Sequence, residues 1–266
     1  MPSMHSRATR ARHVVIVTRT MTSASQSPPS LPSIPQRVLL THAVLVGLTP
    51  LIPIPFLDDV VKNAVERRLV KTIAKAHGRE LEKKELVALT EEPSGNLLLA
   101  IGKGIALFPF KLIFKTVFLV LEVKAASDEA SACYHRGLLF DLVLRSNALA
   151  PHGPRTPAEV RSAVHEVASG TEVSPLGRAV HGAFEGSRDA LTAVGRALLA
   201  RIGKGGKASR AAVETAVAET TDANDDALDG ILSRMAAAVS EVPDAHFALL
   251  EKQLEERLGV PLRRRG

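Results

Sequence analysis

Two short stretches carry residues that in other proteins bind phosphate or calcium. "RIGKGGKAS", starting at Arg201, contains the Gly-Lys pair of the phosphate-binding loop G-x-x-x-x-G-K-[ST]. Arg201 stands where that pattern needs its first glycine and Ala208 where it needs a hydroxyl, so a helix end and a basic linker are expected instead. "DANDDALDGILS", starting at Asp222, resembles a calcium loop, but Ala227 replaces the turn glycine and Ser233 the bidentate glutamate. We expect the acids there to cap the following helix.

Nine histidines and one cysteine are the remaining candidates for metal binding or nucleophilic catalysis. The histidines are scattered, and His165-Glu166 lacks the second histidine of the zinc motif H-E-x-x-H. Cys133 and His135 are close in sequence, but on a helix they point to different sides, which indicates a buried, inert thiol. The sequence therefore predicts no catalytic residue, no cofactor-binding residue, no metal ligand and no cofactor, and it favours a protein that is not an enzyme.

Composition favours helices over strands. Ala, Leu, Val, Arg and Glu dominate the 266 residues, while Trp is absent and there is a single Tyr. Much of the net charge of +6 comes from residues 1–57, which hold five Arg and no acid, whereas residues 58–95 balance eight basic against eight acidic side chains. A nucleic-acid binder usually has a basic stripe with stacking aromatics. We therefore expect an all-α helical bundle that does not bind nucleic acid, and the one cysteine fits a reducing compartment.

Four regions are predicted along the chain. Residues 1–36 are rich in Ser, Thr, Pro and Arg and should form a disordered basic leader, with a composition that resembles a transit peptide. Residues 37–146 hold two apolar runs and should form an apolar helical region. Residues 147–157, "NALAPHGPRTP", are typical of a linker. Residues 158–266 should then form a soluble helical region.

Helix boundaries are predicted from capping signals. Thr156 to Glu159, "TPAE", is a capping box with proline at the first helical position. Ser174 should cap a helix that continues to Ile202, in which Gly182 and Gly186 would permit close helix packing. Further helices are predicted from about Ala208 to Thr220, Asp225 to Val239, and Pro243 to Leu258.

The first apolar run, Val38 to Leu57, contains 20 residues without a formal charge. Its apolar side chains would gain roughly 4–7 kcal/mol on membrane insertion, but each of its three prolines costs about 3 kcal/mol inside a helix. The proline-free part, Val38 to Thr49, spans about 18 Å of helix, against a hydrocarbon core of about 30 Å. This segment could enter a bilayer, or be buried in protein, but could not cross a bilayer alone.

An amphipathic helix is predicted directly after this run. It extends from Asp58 to Ala76, with Asp58 or Asp59 as N-cap and Gly78 just beyond its end. We interpret the junction as an elbow, where the prolines stop one helix and the aspartates open the next in water. The elbow comprises Pro50, Pro53, Pro55, Asp58 and Asp59. The predicted apolar face holds Val61, Val65, Leu69, Ile73 and Ala76, and Lys62, Glu66, Lys71 and Lys75 fall outside it.

The second apolar run, Leu97 to Leu121, contains sixteen large apolar residues and three lysines, and is interrupted by Pro109. Insertion would gain about 5–10 kcal/mol and the lysines would cost about 7–10 kcal/mol, so the two nearly cancel. The lysines lie beside a phenylalanine face, which suits a helix lying in a membrane interface. The alternative is a buried core helix. The candidate membrane-interface residues are Lys103, Phe110, Lys111, Phe114, Lys115 and Phe118.

The stretch "IPIPFLDDVVKNAVERRLVKTIAKAHG" resembles a pattern in bacterial YcjF-like membrane domains. There an apolar segment ends in a Pro-x-Pro corner, an Asp opens an amphipathic helix and a Gly closes it. Pro53, Pro55, Asp58 or Asp59, and Gly78 match this pattern. The helix-rich remainder, punctuated by Gly and Ala, is loosely similar to the EcsC-like family. The resemblance covers about residues 45–80, and the three lysines of the second run depart from the pattern of a membrane hairpin. It implies membrane proximity and no chemistry.

The leading functional expectation is a non-enzymatic, membrane-associated helical protein, for which a scaffold is one role. Its expected partner is an anionic membrane lipid surface, and no particular protein partner is indicated. The alternative is a soluble all-α interaction protein whose apolar runs are core. The expected location is the cytoplasmic side of a membrane, or the cytoplasm.

Overall fold

A computed structural model describes residues 35–52, 57–91, 123–146, 148–149, 153–169, 174–203, 209–223 and 225–262. Within these ranges the chain is helical, without any strand, which confirms the all-α helical bundle predicted from composition. Residues 1–34 of the predicted disordered leader lie outside the described residues, whereas its last residue, Gln36, is the first residue of helix α1. The helices are α1 (Gln36–Gly47), α2 (Leu57–Ala76), α3 (Lys83–Thr90), α4 (Val123–Arg145), α5 (Pro157–Ser169), α6 (Pro175–Glu185), α7 (Arg188–Gly203), α8 (Arg210–Asp222), α9 (Asp226–Ser240) and α10 (Asp244–Leu258), and a 3-10 turn spans Thr49–Leu51.

Helix α1 lies in the protein core. It packs against α2, α4 and α9, and every residue from Leu39 to Thr49 is buried. A helix without a charged face can be surrounded in this way, because no side of it needs water. The first apolar run is thus buried in protein from Leu39 to Thr49.

Two glycines let α1 and α4 approach closely. A Cβ atom added at Gly47 of α1 would lie 2.7 Å from the Ala126 carbonyl oxygen and 2.8 Å from Phe184. One added at Gly137 of α4 would lie 2.6 Å from a methyl group of Leu39. Such distances are too short for a side chain, so the glycines set the spacing between these helices.

Helix α2 ends as its sequence predicts. Gly78 has a φ of 66°, the left-handed conformation that glycine adopts without strain. Its N–H donates to the Lys75 carbonyl at 3.0 Å, and the Arg79 N–H donates to the Ala74 carbonyl at 2.9 Å. This pair of hydrogen bonds is a Schellman motif, which satisfies carbonyls that the helix end leaves free.

Two predictions about α2 are wrong. The helix starts at Leu57, so Asp58 and Asp59 lie in its first turn and neither is the N-cap. Their negative charges still stabilise the helix, because its N-terminal end is the positive end of the helix dipole. The predicted apolar face excludes Glu66, yet Glu66 is buried and accepts a hydrogen bond from buried Arg136 of α4. The partner explains the error: a buried carboxylate is tolerated when it is paired, and sequence spacing does not reveal the partner.

The capping box is confirmed and one long helix is corrected. The Thr156 N–H donates to the Glu159 carboxylate at 2.8 Å, and the Glu159 N–H donates to the Thr156 hydroxyl at 3.3 Å. The helix predicted from Ser174 to Ile202 is two helices, α6 and α7, separated by Gly186-Ser187. Its apolar seam is nevertheless buried along its whole length: Leu176, Val180, Phe184, Leu191, Val194, Leu198 and Ile202.

The prediction of close helix packing at Gly182 is also wrong, because a Cβ atom added there would have no other atom within 4 Å. Gly186 lies at the end of α6 instead.

One hydrophobic core contains buried residues from both sides of the predicted linker 147–157, among them Val143 and Val164. Helix α4 packs against α5 and α6, and α10 packs against α4 and α5. The four-part division of the chain stays a prediction.

Candidate functional site

The residues of the predicted elbow are only partly within the described ranges. Pro50 lies exposed in the 3-10 turn between α1 and α2, Asp58 is half-buried and Asp59 is exposed. Pro53 and Pro55 lie outside the described residues. So do all six membrane-interface candidates: Lys103, Phe110, Lys111, Phe114, Lys115 and Phe118.

Cys133 and His135 lie on α4 and both are fully buried. Burial raises the pKa of the Cys133 thiol to about 12, so the thiolate needed for nucleophilic attack is scarce at neutral pH. Burial lowers the pKa of His135 to about 3, and neighbouring His246 adds to the effect. The Nε2 atoms of these two histidines are 2.9 Å apart, a contact hidden in the sequence because 111 residues separate them. Among the described residues no group of three His, Cys, Asp or Glu side chains is placed to hold a metal ion.

A serine, a histidine and a glutamate meet between α4 and α6. The Ser127 hydroxyl lies 3.0 Å from His181 Nδ1, and His181 Nε2 lies 3.9 Å from Glu185. In a hydrolase the histidine would remove the serine proton. Here the Ser127 hydroxyl is buried and lies 2.9 Å from the Lys124 carbonyl, to which it donates. The Glu185 carboxylate accepts from Arg188 at 2.6 Å. The three residues therefore form structural hydrogen bonds across two helices, and this geometry does not activate the serine.

A groove bordered by α2, α3 and α8 gathers the cations of three helices. It has a volume of about 480 Å³, within the range of small-molecule sites. Each helix contributes residues spaced three, four or seven apart, the spacing of one helix face. The lining residues are Ala64, Arg67, Arg68 and Lys71 of α2, Lys83, Leu86 and Val87 of α3, and Arg210, Ala211 and Glu214 of α8.

Two arginines of the groove are held by two shared carboxylates. Arg67 donates to Glu91 and, at 2.9 Å, to Glu214. Arg210 donates to the same Glu91 oxygen at 2.7 Å and lies 3.3 Å from the same Glu214 oxygen. Arg161 of α5 donates to the Glu91 carbonyl at 2.8 Å, which fixes Glu91 in place. Charge-assisted hydrogen bonds of this kind orient guanidinium groups before any ligand arrives.

The remaining cations of the groove differ in their partners. Arg68 pairs with Asp222 at 2.8 Å. Lys71 and Lys83 are exposed, and within the described part of the chain neither has an ion-pair partner. Five cations thus face three carboxylates, Glu91, Glu214 and Asp222, and the groove has an excess of two positive charges. Lys83 and Arg210 are also the first residues of α3 and α8, where the helix dipoles are positive.

Sequence reasoning missed this groove. Counting charges along residues 58–95 gives a balance, because acids on other helix faces cancel the cations in the sum. One signal was present: positions 67, 68 and 71 form a basic stripe beside Ala64 on α2. The groove residues of α3 and α8 come next to this stripe only through tertiary packing, which the sequence pattern does not reveal.

Comparisons with known proteins add no relative. No family model, no curated protein and no solved structure matches the chain significantly. The resemblance to YcjF-like and EcsC-like proteins therefore stays a prediction.

Proposed function

We propose that the protein is a non-enzymatic, peripheral membrane-associated helical protein, for which a scaffold is one role. In this proposal the helical bundle faces water, and Leu97 to Leu121 lies in the interface of an anionic membrane. The pattern of that run carries the proposal: it has sixteen large apolar residues, three lysines and no acid. Such a composition favours binding along a membrane surface, with lysines reaching the lipid headgroups.

The packing of the rest of the chain supports this assignment. The first apolar run is buried in protein from Leu39 to Thr49, so this part of it offers no surface to lipid. On the described surface Leu249 is the single large hydrophobic side chain that is exposed, at 52%. No helix in the described ranges is both long enough and apolar enough to cross a bilayer. In this proposal the second run makes the membrane contact.

Vesicle co-sedimentation tests the proposal. The full chain should pellet with phosphatidylserine vesicles. Lys111→Glu/Lys115→Glu should weaken vesicle binding about 30-fold or more, because each basic residue near an anionic surface contributes about 1 kcal/mol. The matched control is Lys75→Glu/Lys84→Glu, which changes the net charge equally at two exposed described positions. Equal loss in both variants would show that only net charge matters, and would contradict binding through the second run.

The second candidate function is a soluble all-α protein-interaction protein with a buried apolar core. The observation that favours it is the burial of α1, since one predicted membrane segment is a core helix. Fractionation of cells that make the protein distinguishes the candidates. A peripheral protein should be found with membranes and be released by carbonate, whereas the second candidate should stay in the supernatant throughout. The membrane proposal also includes a location on the cytoplasmic side of a membrane, contact with anionic lipid and no binding of nucleic acid. It assigns no protein partner.

A further inference from the structure

We propose that the groove bordered by α2, α3 and α8 binds the phosphate monoester group of a small ligand. The inference goes beyond membrane association and does not depend on it, because it rests on the described residues of the groove alone. The chemistry is that of a doubly charged anion attached to a carbon group. Either a free phosphate ester or a lipid headgroup with a terminal phosphate would supply it.

The uncompensated charge of the groove matches such a group. Lys71 and Lys83 project from helices that border the groove, and no described carboxylate pairs with either. A phosphate monoester carries about −1.5 to −2 charges at neutral pH and three acceptor oxygens. Two lysines could therefore neutralise it while Arg67 and Arg210 donate to its oxygens.

Glu214 is the group that an incoming anion would replace. It is 50% exposed, and it accepts from both Arg67 and Arg210 through one oxygen. Glu91 is more buried and binds the same two arginines, so both guanidinium groups would keep an anchor after Glu214 moves away. A ligand phosphate would replace one anion with another at the same two guanidinium groups, so neither cation would be left without a partner.

The apolar lining of the groove suits the carbon part of a ligand. Ala64, Leu86, Val87 and Ala211 line it between the cations. Small-molecule sites commonly combine apolar walls with a few placed polar groups. A ligand with an apolar group next to its phosphate should therefore bind better than inorganic phosphate.

Isothermal titration of the full chain with phenyl phosphate at low ionic strength tests the proposal. Lys71→Ala/Lys83→Ala should weaken binding about tenfold or more, because two charged hydrogen-bond donors are lost. Lys75→Ala/Lys84→Ala is the matched control, with the same substitutions on the same two helices outside the groove, and its affinity should stay within about twofold of wild type. No binding up to about 10 mM ligand, or equal affinities in the two double variants, would overturn the proposal.

The substitution Glu214→Gln should strengthen ligand binding, whereas the lysine substitutions should weaken it. Glu214→Gln removes a negative charge that competes with the ligand, while Glu91 still holds Arg67. Binding of phenyl phosphate should therefore tighten severalfold. Unchanged or weaker binding in a variant that keeps its helical circular dichroism spectrum would contradict the assigned role of Glu214 and overturn the site.

Vesicles distinguish the two sources of the phosphate group. Phosphatidate presents a terminal phosphate monoester, whereas phosphatidylserine does not. Stronger pelleting with phosphatidate vesicles that is lost in Lys71→Ala/Lys83→Ala, but kept in Lys111→Glu/Lys115→Glu, identifies a lipid headgroup. Phenyl phosphate binding without any preference for phosphatidate identifies a free phosphate ester. Both results support phosphate binding in the groove. The proposal is overturned if phenyl phosphate does not bind and the preference for phosphatidate survives in Lys71→Ala/Lys83→Ala.

Discussion

His42 lies in the middle of α1 with 4% of its surface exposed. Its Nδ1 atom is 2.7 Å from the Val38 carbonyl, to which it donates. Its Nε2 atom has no hydrogen-bond partner among the described residues. Burial lowers the pKa of His42 to about 4, and the charge of Arg68 acts in the same direction. A neutral imidazole is therefore part of the folded core, and protonation would leave a charge without water.

This histidine should make the fold sensitive to mild acid. The pKa is about 6.5 in the unfolded chain and about 4 in the folded chain, so the unfolded chain binds the extra proton first. Stability from His42 is fully present above the unfolded pKa and is lost as pH falls from about 6.5 to about 4. At pH 5 the loss should be about 2 kcal/mol. Buried His135, whose pKa is lowered to about 3, should add a loss of the same sign.

Urea denaturation at about pH 7.5 and about pH 5 measures this effect. His42→Leu should lose about 2 kcal/mol less than wild type between the two values. Thr41→Val, a buried and non-titratable change one residue away, is the control and should keep the full pH dependence. Equal pH dependence in wild type and His42→Leu would show that His42 is not the titrating group.

At the scale of the helix, Gly47 and Gly182 have different roles. Gly47 lies where α1 meets α4, and its missing side chain permits the contact with Ala126 and Phe184. Gly182 is exposed on α6 and has open space where a side chain would be. A helical glycine costs about 0.5–1 kcal/mol relative to alanine unless packing requires it.

Alanine substitutions at these positions should change stability in opposite directions. Gly47→Ala should lower the free energy of unfolding by about 1–3 kcal/mol, because the new methyl group overlaps a backbone carbonyl and a packed ring. Gly182→Ala should raise the free energy of unfolding by about 0.5–1 kcal/mol through helix propensity alone. Chemical denaturation of the two variants measures both changes. A neutral Gly47→Ala would mean that α1 and α4 do not pack as closely as described.

Helix ends were more predictable than helix continuity. Caps are local, so the signals at Gly78, Thr156 and Asp225 located helix ends within one or two residues. The break at Gly186-Ser187 was missed because the apolar seam continues across it, and periodicity alone does not show where one helix ends and the next begins. The buried pair of Glu66 and Arg136 was hidden for a different reason, since its partners are 70 residues apart.

At the scale of the whole molecule, composition and periodicity predicted the fold class but not the groove. The absence of strands within the described ranges follows from the residue types that dominate the sequence. The groove requires α3 and α8 to pack beside α2, and no local pattern specifies that arrangement. The sequence of the first run was compatible with entry into a bilayer or burial in protein, because hydrophobicity does not distinguish lipid from protein. The structure buries α1 in protein.

We propose that the two apolar runs have different surroundings. The first is buried in the core of the bundle from Leu39 to Thr49, and the second is proposed to lie in a membrane interface. Core helices exchange backbone hydrogens slowly because the bundle must open to expose them. A segment in contact with lipid should gain protection only when vesicles are present.

Hydrogen–deuterium exchange of the full chain, with and without phosphatidylserine vesicles, tests this claim most directly. Peptides covering Gln36–Gly47 should exchange slowly and equally under both conditions. Peptides covering residues 97–121 should exchange more slowly when vesicles are added. Vesicle-dependent protection of the first run without any change in the second would contradict the account.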